Sequence, residues 1–101
     1  MNVLRFMEEN PNIILVTHYT NRYRVTAFVL GSRFEAFMAW AAKTPGVWIP
    51  DGITGDEGFE FEIKDLKTLR LCKTFLGAEI HKVAQYMTYE EVLADGRFDT
   101  V

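Results

Sequence analysis

Two β-branched, aromatic-rich runs, Ile13–Tyr19 and Tyr23–Leu30, stand only three residues apart and lead directly into a segment with helical periodicity. This succession constrains the fold more than any other stretch. Thr20-Asn21-Arg22 has the length of a hairpin loop, so the two runs are predicted to pair as an antiparallel hairpin. The first run opens with four successive apolar residues, Ile13-Ile14-Leu15-Val16, the pattern of an interior strand covered on both faces. After Leu30-Gly31, the tetrad Ser32-Arg33-Phe34-Glu35 has the spacing of a capping box, in which the serine hydroxyl and the glutamate carboxylate satisfy each other's free amides. In the helix this predicts over Arg33–Lys43, Phe34, Phe37, Met38 and Ala41 fall on one face with Trp40 at its margin, and Thr44-Pro45-Gly46 ends it.

The remaining elements follow from similar rules. Val3–Glu9 can form two helical turns, stopped by Asn10-Pro11 because a residue before proline is driven out of helical geometry. Val47 to Ile53 runs through Pro50-Asp51-Gly52 to Gly55 and Gly58 as a long connection. Phe59-Glu60-Phe61-Glu62-Ile63 alternates strictly, which places the apolar side chains inward and both glutamates in water. Asp65 is suited to cap a helix over Leu66–Leu76, with Gly77 as its terminator. A helical wheel sets Leu69, Leu71, Cys72, Phe75 and Leu76 against a basic side made by Lys67, Arg70, Lys73 and Thr74. Ala78–Met87 has apolar residues at helical spacing, yet Gly77 before it and the Thr88-x-x-Glu91 capping box after it favour a strand. Tyr89–Asp95 is expected to be a short helix ended by Gly96, with Arg97–Val101 a frayed tail. Together these elements predict one α+β domain over residues 1–101: a mostly antiparallel sheet of about four strands with two main helices packed on it.

Composition narrows the function classes. At 101 residues and 49% hydrophobic, the chain has material for a core without a metal or disulfide staple. A net charge of −3 argues against a protein devoted to neutralising phosphates. Cys72 is the only cysteine, and the longest apolar run, Ala36–Ala42, is too short to span a bilayer. With no secretory apolar run among the first nine residues, a cytoplasmic protein without a membrane segment is expected.

No motif carries catalysis. Asp51 and Glu62 occupy the first and twelfth positions of a would-be calcium loop, but Ile53, Gly55 and Asp56 stand where ligands and the obligatory glycine belong, so Asp51, Asp56, Glu57, Glu60, Glu62 and Asp65 read as a solvated acidic stretch. Cys72, His18 and His81 are the possible nucleophile and bases, and Cys72 lies among Leu69, Phe75 and Leu76, the setting of a buried inert thiol. Ser32 is the only serine and sits at a helix cap. Gly52, Gly55 and Gly58 precede a strand with no following lysine, unlike a phosphate loop. No catalytic residue, metal or cofactor is predicted, and the chain is not expected to be an enzyme.

Two surfaces and one loop remain. The Lys67, Arg70 and Lys73 helix face suits an acidic patch on a protein partner. Arg22, Tyr23 and Arg24, with His18 and Tyr19 at the expected hairpin tip, mix aromatic and basic groups as single-stranded nucleic acid binders do. Trp48 offers a third anchor. Size and the lack of motifs point to a small protein-binding accessory protein, inhibitory or regulatory, of the kind that phages and mobile elements encode. The alternative is a nucleic-acid-binding module using the Arg22-Tyr23-Arg24 tip together with the Lys67/Arg70/Lys73 face.

Overall fold

The computed structural model describes residues 3–95, so the expected Gly96 stop and the tail after it lie outside the described residues. The elements are α1 (Val3–Glu9), β1 (Ile13–Val16), β2 (Tyr23–Ala27), α2 (Gly31–Lys43), β3 (Val47–Trp48), β4 (Phe59–Ile63), α3 (Leu66–Leu76), a 3-10 turn over Gly77–Glu79, β5 (Ile80–Thr88) and α4 (Tyr89–Ala94). The class is α+β as the sequence predicts. The sheet has five strands in the order β1-β5-β2-β4-β3, all antiparallel neighbours except the parallel pair β1–β5. The additional strand is β3, a two-residue pairing of Val47 and Trp48 with Ile63 and Glu62 inside the segment expected to be connection.

The predicted hairpin does not form. β1 and β2 are antiparallel, but β5 lies between them, and residues 17–22 arch over its end. The interior role expected of β1 therefore falls to β5, while β1 is an edge strand whose four residues are all half-buried. β5 suits the centre because it carries apolar groups toward both faces: Val83 and Met87 on one side, Ala84 and Tyr86 on the other. Nothing local to Thr20-Asn21-Arg22 reports a strand inserted from much later in the chain.

Strand alternation divides the sheet into a helical face and an open face. On the helical face, Val25, Ala27, Phe59, Phe61 and Ile63 meet Phe37 and Ala41 of α2 and Leu69, Cys72 and Leu76 of α3 in one core. Phe37 is fully buried, its ring centroid 5.0 Å from Phe61 and 5.6 Å from Phe59. Trp40, at the margin of α2, stacks on Phe75 at 5.5 Å and ties the two helices together. A smaller second core, Phe6, Met87 and Val92, with Ile13 and Leu15 against it, holds α1 and α4 onto β1 and β5.

Two helix readings need correction. The capping box at Ser32 is absent: α2 begins at Gly31 with φ +57°, and its N-cap is Leu30, which makes no side-chain cap bond. Tertiary anchors fix this start instead, since Val29 is fully buried and Arg33 donates to the Phe75 carbonyl at 2.8 Å and to Glu79 at 2.6 Å. On α3, Leu71 is half exposed because the buried arc runs through Thr68, Leu69, Cys72 and Leu76 and turns Leu71 away. The other two caps hold. Asp65 accepts from the Thr68 amide at 2.9 Å, and Thr88 and Glu91 form a complete capping box. Each satisfies amides that would otherwise be orphaned at a helix start.

Candidate functional site

α3 owes its orientation to the Asp65 cap, which begins the helix immediately after β4, and to the arc that buries Leu69, Cys72 and Leu76. Lys67, Arg70 and Lys73 are thereby left exposed, and none of them forms an ion pair among the described residues. Lys73 and Leu66 lie at the margin of the buried arc, where α3 stops covering the sheet. Beyond that margin is a groove of about 560 Å³, walled by Leu66, Leu69 and Lys73 on one side and by Glu9 to Asn12 on the other. Ile13, Tyr23, Val83 and Gln85 form its floor, in the interval between the large and small cores.

Gln85 gives this floor its polar character. It pairs across strands with Ile13 and Tyr23, and its side-chain amide finds no hydrogen-bond partner among the described residues. A primary amide both donates and accepts, so within an apolar floor it complements a peptide bond. Lys73 at the lip adds a cation within the same groove.

The Arg22-Tyr23-Arg24 cluster is dispersed rather than assembled. Strand alternation sends Tyr23 to the helical face, where it packs on the core and lines the groove. Arg22 stacks over Tyr19 at 4.3 Å and pairs with Glu91 at 3.0 Å. The same Glu91 oxygen accepts from the Tyr19 hydroxyl at 3.2 Å, while its other oxygen accepts from the Thr88 amide at 3.0 Å. Chiefly because of that backbone bond, with Tyr19 and Arg22 adding to it against some desolvation, the Glu91 carboxyl titrates below its ordinary range. This clamp fastens the 17–22 arch to α4.

Arg24 faces the open side and is also engaged. Its Nε donates to the Tyr86 hydroxyl at 2.9 Å, Tyr86 donates to Glu62 Oε2 at 2.6 Å, and Asn21 donates to Glu62 Oε1 at 3.1 Å. Glu62 is thus a network acceptor rather than the solvated outer residue that alternation predicts. Burial, followed by the bond to Glu62, raises the Tyr86 phenol above its usual value. Trp48 is 54% exposed, opposite Glu62 across the strand pair and remote in topology from α3's groove.

Cys72 is fully buried, and desolvation pushes its thiol up to about 11, so almost none is thiolate near neutral pH. His81 packs edge-on against Phe28 at 6.5 Å, and His18 Nδ1 lies 3.3 Å from the Thr17 hydroxyl. No group of three or more potential metal ligands occurs among the described residues, and no helix among them is long and apolar enough to cross a membrane.

Of the residues singled out from sequence, Tyr23 and Lys73 meet in the groove, Lys67 and Arg70 stand on the same helix outside it, and Arg22, Arg24 and Trp48 lie elsewhere. Leu66, Val83 and Gln85 escaped the sequence reading. The one signal was polar Gln85 set between the apolar pairs Val83-Ala84 and Tyr86-Met87. No protein-family model, curated protein or solved structure matches this chain.

Proposed function

We propose that this chain is a small non-enzymatic binding domain, an inhibitory or regulatory accessory protein of the cytoplasm, that docks an acidic segment of a protein partner along α3 and its groove. The observation carrying this reading is a contrast among the cations. Arg5, Arg22, Arg24 and Arg33 are each paired with a glutamate of the chain itself, whereas among the described residues Lys67, Arg70 and Lys73 form no ion pair and share one helix; Lys43, Lys64 and Lys82, also unpaired, stand singly on other segments. Unpaired charges beside a concave apolar floor supply both steering and a site for desolvated contact. An extended segment fits best, because the Gln85 amide can pair with a peptide bond while Lys73 holds a carboxylate at the lip.

The protein-binding reading is favoured over the nucleic-acid alternative because Arg22 and Arg24 each already pair with a glutamate of the chain. Panning a random-peptide display library against the immobilised chain tests the proposal. Enriched peptides should combine Asp or Glu with apolar residues, bind more weakly as salt rises, and lose affinity for the Lys67→Glu, Arg70→Glu, Lys73→Glu variant. Enrichment of peptides without acidic residues would overturn the reading, as would equal binding to the charge-reversed chain. A labelled single-stranded oligonucleotide that binds while acidic peptides do not would favour the nucleic-acid module.

A further inference from the structure

The two edges of the sheet are guarded very differently. β3 is only two residues long and lies between Pro45 and Pro50, which limits its capacity to accept another strand. β1 has four aliphatic residues, no charge, no proline and no bulge, and no strand pairs with its outer side among the described residues. Natural sheets usually blunt such an edge with a lysine, a proline or a covering segment.

The hydrogen-bond phase of β1 determines what its edge offers. The Gln85 amide donates to the Asn12 carbonyl at 2.7 Å, and in a parallel ladder alternate residues face the neighbouring strand. Asn12, Ile14 and Val16 therefore turn their backbone groups toward β5, and Ile13, Leu15 and Thr17 turn theirs outward. The Ile13 amide is already satisfied by Asn10 O at 3.1 Å. The Ile13 carbonyl, both Leu15 groups and the Thr17 amide remain directed away from the sheet.

α1 contributes a second observation at the same edge. Phe6 points into the small core and Glu9 lines the groove on the α3 side. At 100° per residue this leaves Val3, Met7 and Leu4 on the opposite flank, away from α3, where they are 39%, 47% and 74% exposed. An apolar helix flank and an unguarded apolar edge strand thus occupy the same side of the sheet.

We infer that β1 pairs antiparallel with β1 of a second copy about a two-fold axis through Leu15, making a continuous ten-stranded sheet with α1 packed on its symmetry mate. The register is self-complementary. Each Leu15 exchanges both backbone bonds with its mate, and each Thr17 amide meets the Ile13 carbonyl opposite. On the open face, Ile14 then stands against Val16 of the mate, so the cross-strand pairs are aliphatic. A second copy fits better than an unrelated strand because it supplies the matching Val3, Leu4 and Met7 flank along with the ladder.

Sedimentation equilibrium of the whole chain tests this independently of peptide binding, since the groove lies on the other side of α1. The expected result is a concentration-dependent species near twice the chain mass of 11.7 kDa. Val16→Lys sets like charges near the two-fold axis and should weaken the dimer on the order of tenfold or more, with the circular dichroism unchanged. Leu4→Glu, on an exposed position of α1, should weaken it without any bearing on the core. A parent that stays monomeric at its highest soluble concentration would overturn the inference. So would a folded Val16→Lys variant that dimerises as tightly as the parent; if that variant does not fold, an unweakened Leu4→Glu dimer has the same force.

Discussion

The α2–α3 half and the α1–α4 half cover the same side of one sheet with unequal depth. The first packs two helices of three or more turns over β2 and β4, with Phe37, Phe59 and Phe61 in ring contact and Trp40 linking Phe37 to Phe75. The second lays helices of seven and six residues over β1 and β5 and, among the described residues, buries only Phe6, Met87 and Val92. Isolated helices this short are unstable, so packing and caps must hold them in place. The groove follows the boundary between the two. The more deeply packed half thus presents the basic helix α3, and the thinner half forms the opposite wall of the groove.

The largest expected effect separates the halves by core truncation. Phe37→Ala should cost about 3 to 5 kcal/mol, enough to leave a domain of this size largely unfolded in a denaturant titration. Phe6→Ala should release α1 and α4 locally, seen as faster amide exchange there while β2, β4 and α2 stay protected. Uniform loss of protection in Phe6→Ala would show that the halves are a single cooperative unit.

The caps sharpen the same contrast at smaller scale. Thr88→Ala removes a bond that α4 needs and should lower stability by about 1 kcal/mol. Ser32→Ala should leave the denaturant midpoint unchanged, because that hydroxyl caps nothing in α2.

Acid should loosen the thin half first. The folded-state value of Glu91 is depressed, so its contribution is fully present above the ordinary glutamate value and is lost as pH falls through the lower folded value. Amide exchange in α4 and the 17–22 arch should rise across that acidic window, and Glu91→Gln should abolish the dependence. The smallest effect of a charge change belongs to α3. Reversing Lys67, Arg70 and Lys73 to Glu should lower stability by less than about 1 kcal/mol, since these side chains are exposed and form no ion pair among the described residues, while Lys67 favours the charged Asp65 cap and Lys73 the last turn of α3.

The sequence made the large core legible because Phe37, Ala41, Phe59, Phe61 and Ile63 obey short-range periodicity, which burial enforces directly. The Asp65 and Thr88 caps were readable for similar local reasons, as was the strand expected over Ala78–Met87, which forms over Ile80–Thr88 after a 3-10 turn at Gly77–Glu79. The Ser32 cap failed because Val29 and Arg33, through distant contacts, decide where α2 begins. The β1–β2 hairpin failed for a topological reason, since insertion of β5 leaves no trace around Thr20-Asn21-Arg22. The candidate site was half legible. Charge alone singled out Lys67, Arg70 and Lys73 as candidates, whereas the groove exists only after β5 brings Val83 and Gln85 beside Ile13 and Tyr23.

Residue-resolved NMR of the labelled chain, titrated with an acidic peptide enriched by display, tests the docking reading most directly. Shifts should concentrate at Tyr23, Leu66, Leu69, Lys73, Val83 and Gln85 and vanish in the charge-reversed chain. Shifts centred instead on Trp48, Arg24 and Tyr86, with the groove silent, would place binding on the open face and contradict it.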